Sequence, residues 1–263
     1  MNKSEVKEIK FNSDILGKQM AVQVYLPAEY DSLVELPVLY FLHGRSGDEN
    51  ILHHLGMQDH ADKMISEGEI KPMIIVCPRM ENSRGVNSSI IAKDLPCPMG
   101  SDRTINLGRY EDYFINEIVS LVDRSFKTIK NKEGRFVGGA SAGGYAALLY
   151  ALKYQNMFSR VGGHMPAVEI ELEEDAKVYF KDIQVWQEND PIFLSKKNNI
   201  SSDLSFYLDA GDRDEGEFYK SCAILHDILK EKGIVSQNYV FSGNHSAEYI
   251  LSNIDKYLKF YAS

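Results

Sequence analysis

Apolar and polar positions alternate first in Met20-Ala21-Val22-Gln23-Val24-Tyr25-Leu26, a run stopped by Pro27, which predicts a half-buried strand. Pro37-Val38-Leu39-Tyr40-Phe41-Leu42 and Met73-Ile74-Ile75-Val76-Cys77 are apolar throughout, as strands covered on both faces are. Shorter strands are predicted at 135–139, 204–208 and 238–241. Helical spacing fills the intervals at 59–66, 110–126, 144–154, 218–232 and 247–261. Strands alternating with helices predict an α/β fold, a mostly parallel sheet with helices on both faces. The two N-terminal strands have no helix between them, so the N-terminal edge is expected to be antiparallel. Two segments fall outside the alternation. Residues 78–107 are rich in Ser, Asn, Gly and Pro. Residues at about 164–200 begin with Met165-Pro166 after His164 and carry an acidic cluster and the only tryptophan, Trp186. Long irregular insertions of this kind serve as substrate loops or lids.

Composition narrows the reading. The chain has 263 residues, 29 Lys+Arg against 38 Asp+Glu and a formal charge of −9, a balance unsuited to non-specific binding of nucleic acid or anionic membranes. Cys77, Cys97 and Cys222 are far apart and odd in number, so neither a disulfide framework nor a cysteine zinc site is expected. His53, His54 and His60 with Asp48 and Asp59 match no zinc-ligand spacing, and no phosphate loop or dinucleotide glycine pattern is present. No metal or organic cofactor is expected. The N-terminal residues contain no apolar signal-peptide core and no apolar run reaches the roughly 18 residues of a membrane span, so a cytoplasmic location is expected.

The chemistry concentrates at Gly139-Ala140-Ser141-Ala142-Gly143, a G-x-S-x-G between a predicted strand and an Ala/Leu-rich helix. That context is a nucleophile elbow, with Ser141 raised at the N-terminus of the helix. A serine hydroxyl needs a base oriented by an acid. Of the histidines that follow Ser141, His226 lies within a helical pattern and His164 precedes the strand expected to supply the acid. His245, in the loop between the last strand and the last helix, is placed as the base. Position leaves Asp209, Asp212 and Asp214 open as the acid, with Asp214, past the Gly211 turn, best placed to reach back. Oxyanion amides are expected from Ala142 and from the loop His43-Gly44-Arg45-Ser46-Gly47, where Arg45 is assigned and Ser46 is the alternative. His43, Gly44, Tyr145, His164 and Trp186 are the candidate substrate contacts.

These residues carry a resemblance to the putative-esterase (esterase D-like) family of α/β-hydrolases, which includes feruloyl and acetyl-xylan esterases, tributyrin esterases, S-formylglutathione hydrolases and enterochelin esterases. It runs through Val24-Tyr25-Leu26-Pro27, the stretch 36–44, the stretch 70–76, Gly139 to Tyr145 and Asp190-Pro191. Gly211-Asp212-Arg213-Asp214-Glu215 is similar to the family's G-x-x-D-E acid loop and Gly243-Asn244-His245 to its G-x-H base loop, which implies Asp214 as the acid. Ala142 stands where the family commonly has Met, and Tyr249 is the nearest aromatic to a tryptophan often found after the histidine. The S-M-G-G-H stretch of S-formylglutathione hydrolases is missing.

The resemblance implies a serine carboxylic-ester hydrolase working through an acyl-enzyme on short-chain or aromatic acyl esters of sugars or small alcohols. An acyltransferase with the same triad and a non-catalytic binding protein on this scaffold are the alternatives. The oxyanion loop, nucleophile and base span the chain, so one domain over 1–263 is expected, and a homo-oligomer is a possible assembly.

Overall fold

The structure, a computed structural model, describes residues 3–97 and 104–262. Part of the predicted 78–107 excursion, residues 98–103, lies outside the described residues. Ten strands form among the described residues: β1 (Glu5–Ser13), β2 (Lys18–Leu26), β3 (Val38–Leu42), β4 (Ile74–Pro78), β5 (Lys93–Pro96), β6 (Thr104–Leu107), β7 (Arg135–Ala140), β8 (Arg160–His164), β9 (Ser205–Gly211) and β10 (Val235–Phe241). The helices are α1 (Ile51–His54), α2 (Met57–Ser66), α3 (Tyr110–Asp112), α4 (Val119–Ser125), α5 (Ala142–Lys153), α6 (Ile183–Gln187), α7 (Pro191–Lys197), α8 (Phe218–Glu231) and α9 (Ala247–Ala262). A π-helical stretch, Tyr113–Ile118, joins α3 to α4. No helix among the described residues is long and apolar enough to cross a membrane.

Eight strands make one sheet in the order β1-β2-β4-β3-β7-β8-β9-β10, while β5 and β6 pair separately. From β4 to β10 every pairing is parallel. The N-terminal edge is antiparallel, but its strands are not the two expected from sequence. β2 pairs with β1 and with β4, and β3 lies inside the parallel part. The hairpin of β5 and β6 lies in the 78–107 stretch that the sequence left irregular; in the main sheet the first unforeseen strand is β1, whose charges Glu5, Lys7, Glu8 and Lys10 obscure the strand pattern and discourage edge-to-edge association. All five residues of β3 and all five of β4 are buried. Each large apolar side chain withdrawn from water in this layer contributes on the order of 2 kcal/mol.

The second unforeseen strand, β8, reads Arg160-Val161-Gly162-Gly163-His164 and has little intrinsic strand preference. Its glycines make room for helices on the sheet. A Cβ at Gly162 would lie 1.7 Å from the Tyr261 hydroxyl, one at Gly138 in β7 1.8 Å from the same oxygen, and one at Gly163 2.9 Å from Leu148. The C-terminal ends of β3, β7, β9 and β10 therefore open onto one end of the sheet, where ligands of α/β folds bind.

Candidate active site

Ser141 follows the last residue of β7 and precedes the first of α5, with φ 55° and ψ −117°. A non-glycine residue rarely adopts this conformation, so the surroundings must enforce it. Its amide donates to His164 O at 3.0 Å, and its carbonyl accepts from Tyr145 N and Ala167 N, each at 3.0 Å. The flanking glycines are sterically required. A Cβ on Gly143 would stand 2.2 Å from Leu42 O and one on Gly139 2.5 Å from the same atom.

His245 Nε2 lies 2.8 Å from Ser141 Oγ, and His245 Nδ1 lies 2.8 Å from Asp214 Oδ2. Asp214 Oδ1 accepts the Gly216 amide at 2.9 Å, so both carboxylate oxygens are engaged. Asp212 and Asp209 are occupied elsewhere. Asp212 Oδ1 accepts the Gly243 amide at 2.9 Å. Asp209 is fully buried, with Oδ1 2.8 Å from His164 Nδ1 and Oδ2 accepting from the Tyr249 and Tyr257 hydroxyls. The acid and base loops are stitched together by Asp212 N to Phe241 O at 2.8 Å, Arg213 N to Gly243 O at 2.9 Å and His245 N to Glu215 Oε2 at 3.1 Å. A Cβ at Gly211 would lie 2.1 Å from Gly243 O, so this contact requires glycine. The Phe218 ring meets the His245 ring edge-on at 5.3 Å.

The Ala142 amide is at the first position of α5, where no intrahelical acceptor exists, and the helix dipole favours negative charge there. On the facing loop the Ser46 amide is already bonded, to Asn82 Oδ1 at 2.7 Å, and Gly47 N donates to Gly44 O at 3.1 Å. Ser46 is therefore the weaker of the two candidates on this loop. Asn82 is held by its amide to Asn106 Oδ1 and by its side chain to Thr104 O. Nothing in the local sequence pattern marked it.

Ser141 opens onto a cleft of ≈ 570 Å³. Ile51, Leu55, Met165, Phe218 and Ile250 supply apolar surface, and Asn82, Glu173, Asp175 and Tyr179 supply polar surface. The predicted insertion closes one side, and its ties beside the cleft include Arg45 Nη2 to Asp175 Oδ2 at 2.8 Å, Arg84 Nη1 to Glu169 Oε1 at 2.8 Å, and Tyr179 OH to Asn82 O at 2.7 Å. Arg84 and Glu169 are both buried. Burial opposes the charge on Arg84, but the Glu169 carboxylate keeps its pKa above the ordinary value. Burial pushes the Glu169 carboxyl up, and Arg84 offsets part of this. Carboxylate oxygens of Glu169, Glu173 and Asp175 lie within 4.8 Å of one another, and the first and last of these residues already have arginine partners.

Of the expected substrate contacts, Gly44 and His43 border the cleft. His43 is buried, its Nε2 accepting from Met80 N at 2.9 Å while Nδ1 donates to Gly44 O at 2.8 Å. Burial lowers its pKa, and this neutral ring shapes the loop with no nitrogen left for a ligand. The other three lie elsewhere. His164 is fully buried, its ring stacked on Tyr257 of α9 at 3.6 Å and on Phe41 of β3 at 5.8 Å and its Nδ1 bonded to Asp209. Tyr145 is fully buried, its hydroxyl donating to Asn189 O at 2.7 Å and its ring lying under Arg84 at 4.4 Å. Trp186 borders a separate depression of ≈ 690 Å³ with Phe180 and Phe193. All three are corrections to the sequence reading, because side-chain direction on a helix or strand end is set by tertiary packing.

Comparison with known proteins agrees with this fold. The mostly parallel sheet with its antiparallel N-terminal edge and flanking helices is that of an α/β-hydrolase. A ferulic acid esterase structure superposes with a TM-score of 0.82 at 21% identity, covering 99% of this chain and 98% of that one. An S-formylglutathione hydrolase from Agrobacterium tumefaciens gives 0.80 at 18% identity, covering 100% and 96%. The chain belongs to the family described as "Putative esterase", whose profile matches residues 13–260. It is 28% identical over 168 residues to an endo-1,4-beta-xylanase/feruloyl esterase of Xylanibacter ruminicola, a match covering 62% of this chain and 22% of that protein. It is 29% identical over 158 residues to Esterase Rv1288 of Mycobacterium tuberculosis, covering 59% and 31%. The matched region is thus under a third of either relative's length.

Proposed function

We propose that this protein is a serine carboxylic-ester hydrolase. The observation that carries the reading is the His245 ring, with one nitrogen 2.8 Å from Ser141 Oγ and the other 2.8 Å from Asp214. This is the arrangement by which a histidine takes the serine proton while a carboxylate fixes its tautomer and stabilises the imidazolium.

Ser141 Oγ attacks the ester carbonyl carbon as its proton passes to His245 Nε2. The carbonyl oxygen becomes an oxyanion between the amides of Ala142 and Arg45, whose fixed donors stabilise charge absent from the ground state. Collapse breaks the bond to the alkoxy oxygen, which leaves as the alcohol with the proton from His245. Water, deprotonated by the same nitrogen, then cleaves the acyl-serine and returns Ser141 with a carboxylic acid. The cycle is redox-neutral, and every proton is carried by His245.

The cleft pairs an apolar wall with a polar one, which suits short-chain or aromatic acyl esters of sugars or small alcohols. The ferulic acid esterase and feruloyl esterase relatives support the aromatic end of this range. A panel of p-nitrophenyl esters from acetate to longer chains, with feruloyl esters alongside and Ser141→Ala as control, tests it. Turnover of short and aromatic esters that vanishes in the variant is expected, and no turnover on any of them contradicts the reading.

A further inference from the structure

Asp209 is a fully buried carboxylate that the proposed reaction leaves unused. It ends the inner part of β9, five residues before Asp214, and makes three strong contacts: His164 Nδ1 at 2.8 Å on Oδ1, and the Tyr249 and Tyr257 hydroxyls, each at 2.7 Å, on Oδ2. His164 Nε2 is in turn 3.0 Å from the Tyr261 hydroxyl. One carboxylate therefore takes hydroxyls from two turns of α9, and through His164 it is linked to a third aromatic of the same helix.

The two hydroxyls on Oδ2 differ in what else their rings touch. Tyr249 lies in the first turn of α9, four residues after His245. Its amide donates to Ser246 Oγ at 3.3 Å. Its ring lies against Gly243, where a Cβ would be 2.7 Å from Tyr249 Cδ2, and Gly243 has a φ of +153°. Gly243 O is the acceptor for Arg213 N, and Gly243 N the donor to Asp212. Tyr249 thus bears directly on the backbone that sets the height of His245 between Ser141 and Asp214. Tyr257, two turns further on, is stacked on His164 beneath the sheet end and is distant in sequence from the base loop.

We infer that Asp209 is a positioning residue for the reaction, acting through the Tyr249 hydroxyl to fix the loop that carries His245. The inference rests on the serine-hydrolase reading above. A hydrogen bond to a buried carboxylate is both strong and directional, and deleting the Tyr249 hydroxyl releases the ring that bears on Gly243, whereas deleting that of Tyr257 leaves the Tyr249 bond in place. Reaction geometry tolerates little such release, since a shift of about 1 Å at a catalytic group costs about a hundredfold in rate.

The pair Tyr249→Phe and Tyr257→Phe separates positioning from plain stability, because each variant deletes one hydroxyl from the same oxygen and keeps its ring. With p-nitrophenyl acetate, Tyr249→Phe is expected to lower kcat about tenfold at nearly constant KM and to slow fluorophosphonate labelling of Ser141 by a similar factor. Tyr257→Phe, with a comparable loss in Tm, is expected to keep kcat and labelling within about twofold of the parent. Equal kinetic losses in the two variants, or an unchanged kcat in Tyr249→Phe, overturn the positioning role. Labelling of the parent in the same experiment tests the underlying reading separately. A parent that neither reacts nor turns over ester removes the serine-hydrolase reading itself.

Discussion

Arg45 Nη2 and Asp175 Oδ2 stand 2.8 Å apart, joining the loop proposed to hold the oxyanion to the segment that walls the cleft. In the proposed reaction Arg45 acts through its backbone amide, so its side chain is free to serve as a tether. Arg45→Ala is expected to change kcat on a small ester by less than about threefold while raising KM for bulkier esters, since partly exposed ion pairs contribute about 1 kcal/mol or less. Steady-state kinetics on acetate and feruloyl esters check this. A kcat loss of a hundredfold on acetate assigns the guanidinium a direct catalytic part.

The Asn82 side chain fixes the same loop from the other side by accepting the Ser46 amide. Asn82→Ala leaves that amide unpaired and loosens the loop, so a fall in kcat of about tenfold with KM nearly unchanged is expected, smaller than the 10²–10³ measured when an oxyanion donor itself is removed. Unaltered kcat places the oxyanion donors elsewhere.

Asp214→Asn keeps an acceptor for Gly216 N but removes the charge beside His245 and permits the wrong tautomer. A loss in kcat of about 10⁴ is expected, whereas Asp212→Asn, which still accepts from Gly243 N, is expected to stay within about threefold. The ratio of the two kcat values is the measurement. Similar losses in both variants contradict the assignment of Asp214 as the acid.

Asp190 caps α7 by accepting the Ile192 and Phe193 amides, while its other oxygen is buried without a partner. Burial pushes its carboxyl up to about 6, from an ordinary 3.8. The folded protein then holds a proton that the unfolded chain releases between pH 4 and 6, so stability falls as pH rises through that window, by about 3 kcal/mol for this group. Asp190→Asn keeps the cap and has no charge to bury. Denaturant titrations at pH 4 and pH 7 are expected to show the variant gaining on the parent as pH rises. A stability difference constant with pH removes the effect.

Much of this site was legible because its residue types are forced by backbone. The G-x-S-x-G spacing reports two close approaches to Leu42 O that only glycine allows, and the distance in sequence from Ser141 to His245 follows from strand–helix alternation. In the main sheet, strands β1 and β8 were not legible, because edge charges hide the first and glycines that admit Tyr261 and Leu148 hide the second; the short, polar β5 and β6 were not legible either. Asn82 and Asp209 act through contacts distant in sequence, and His164, Tyr145 and Trp186 were misplaced for the same reason. Local pattern carries no record of which side chain a distant helix will meet.

The central claim is that Ser141, activated by His245, is the nucleophile. Intact-mass analysis after exposure to a fluorophosphonate, run beside p-nitrophenyl acetate hydrolysis, tests it most directly. The parent is expected to gain one adduct, mapped to Ser141, and to lose activity in step with labelling, while Ser141→Ala gains none and hydrolyses no ester above background. A Ser141→Ala protein that retains the parent's turnover, or a parent fully active after Ser141 is blocked, contradicts the account.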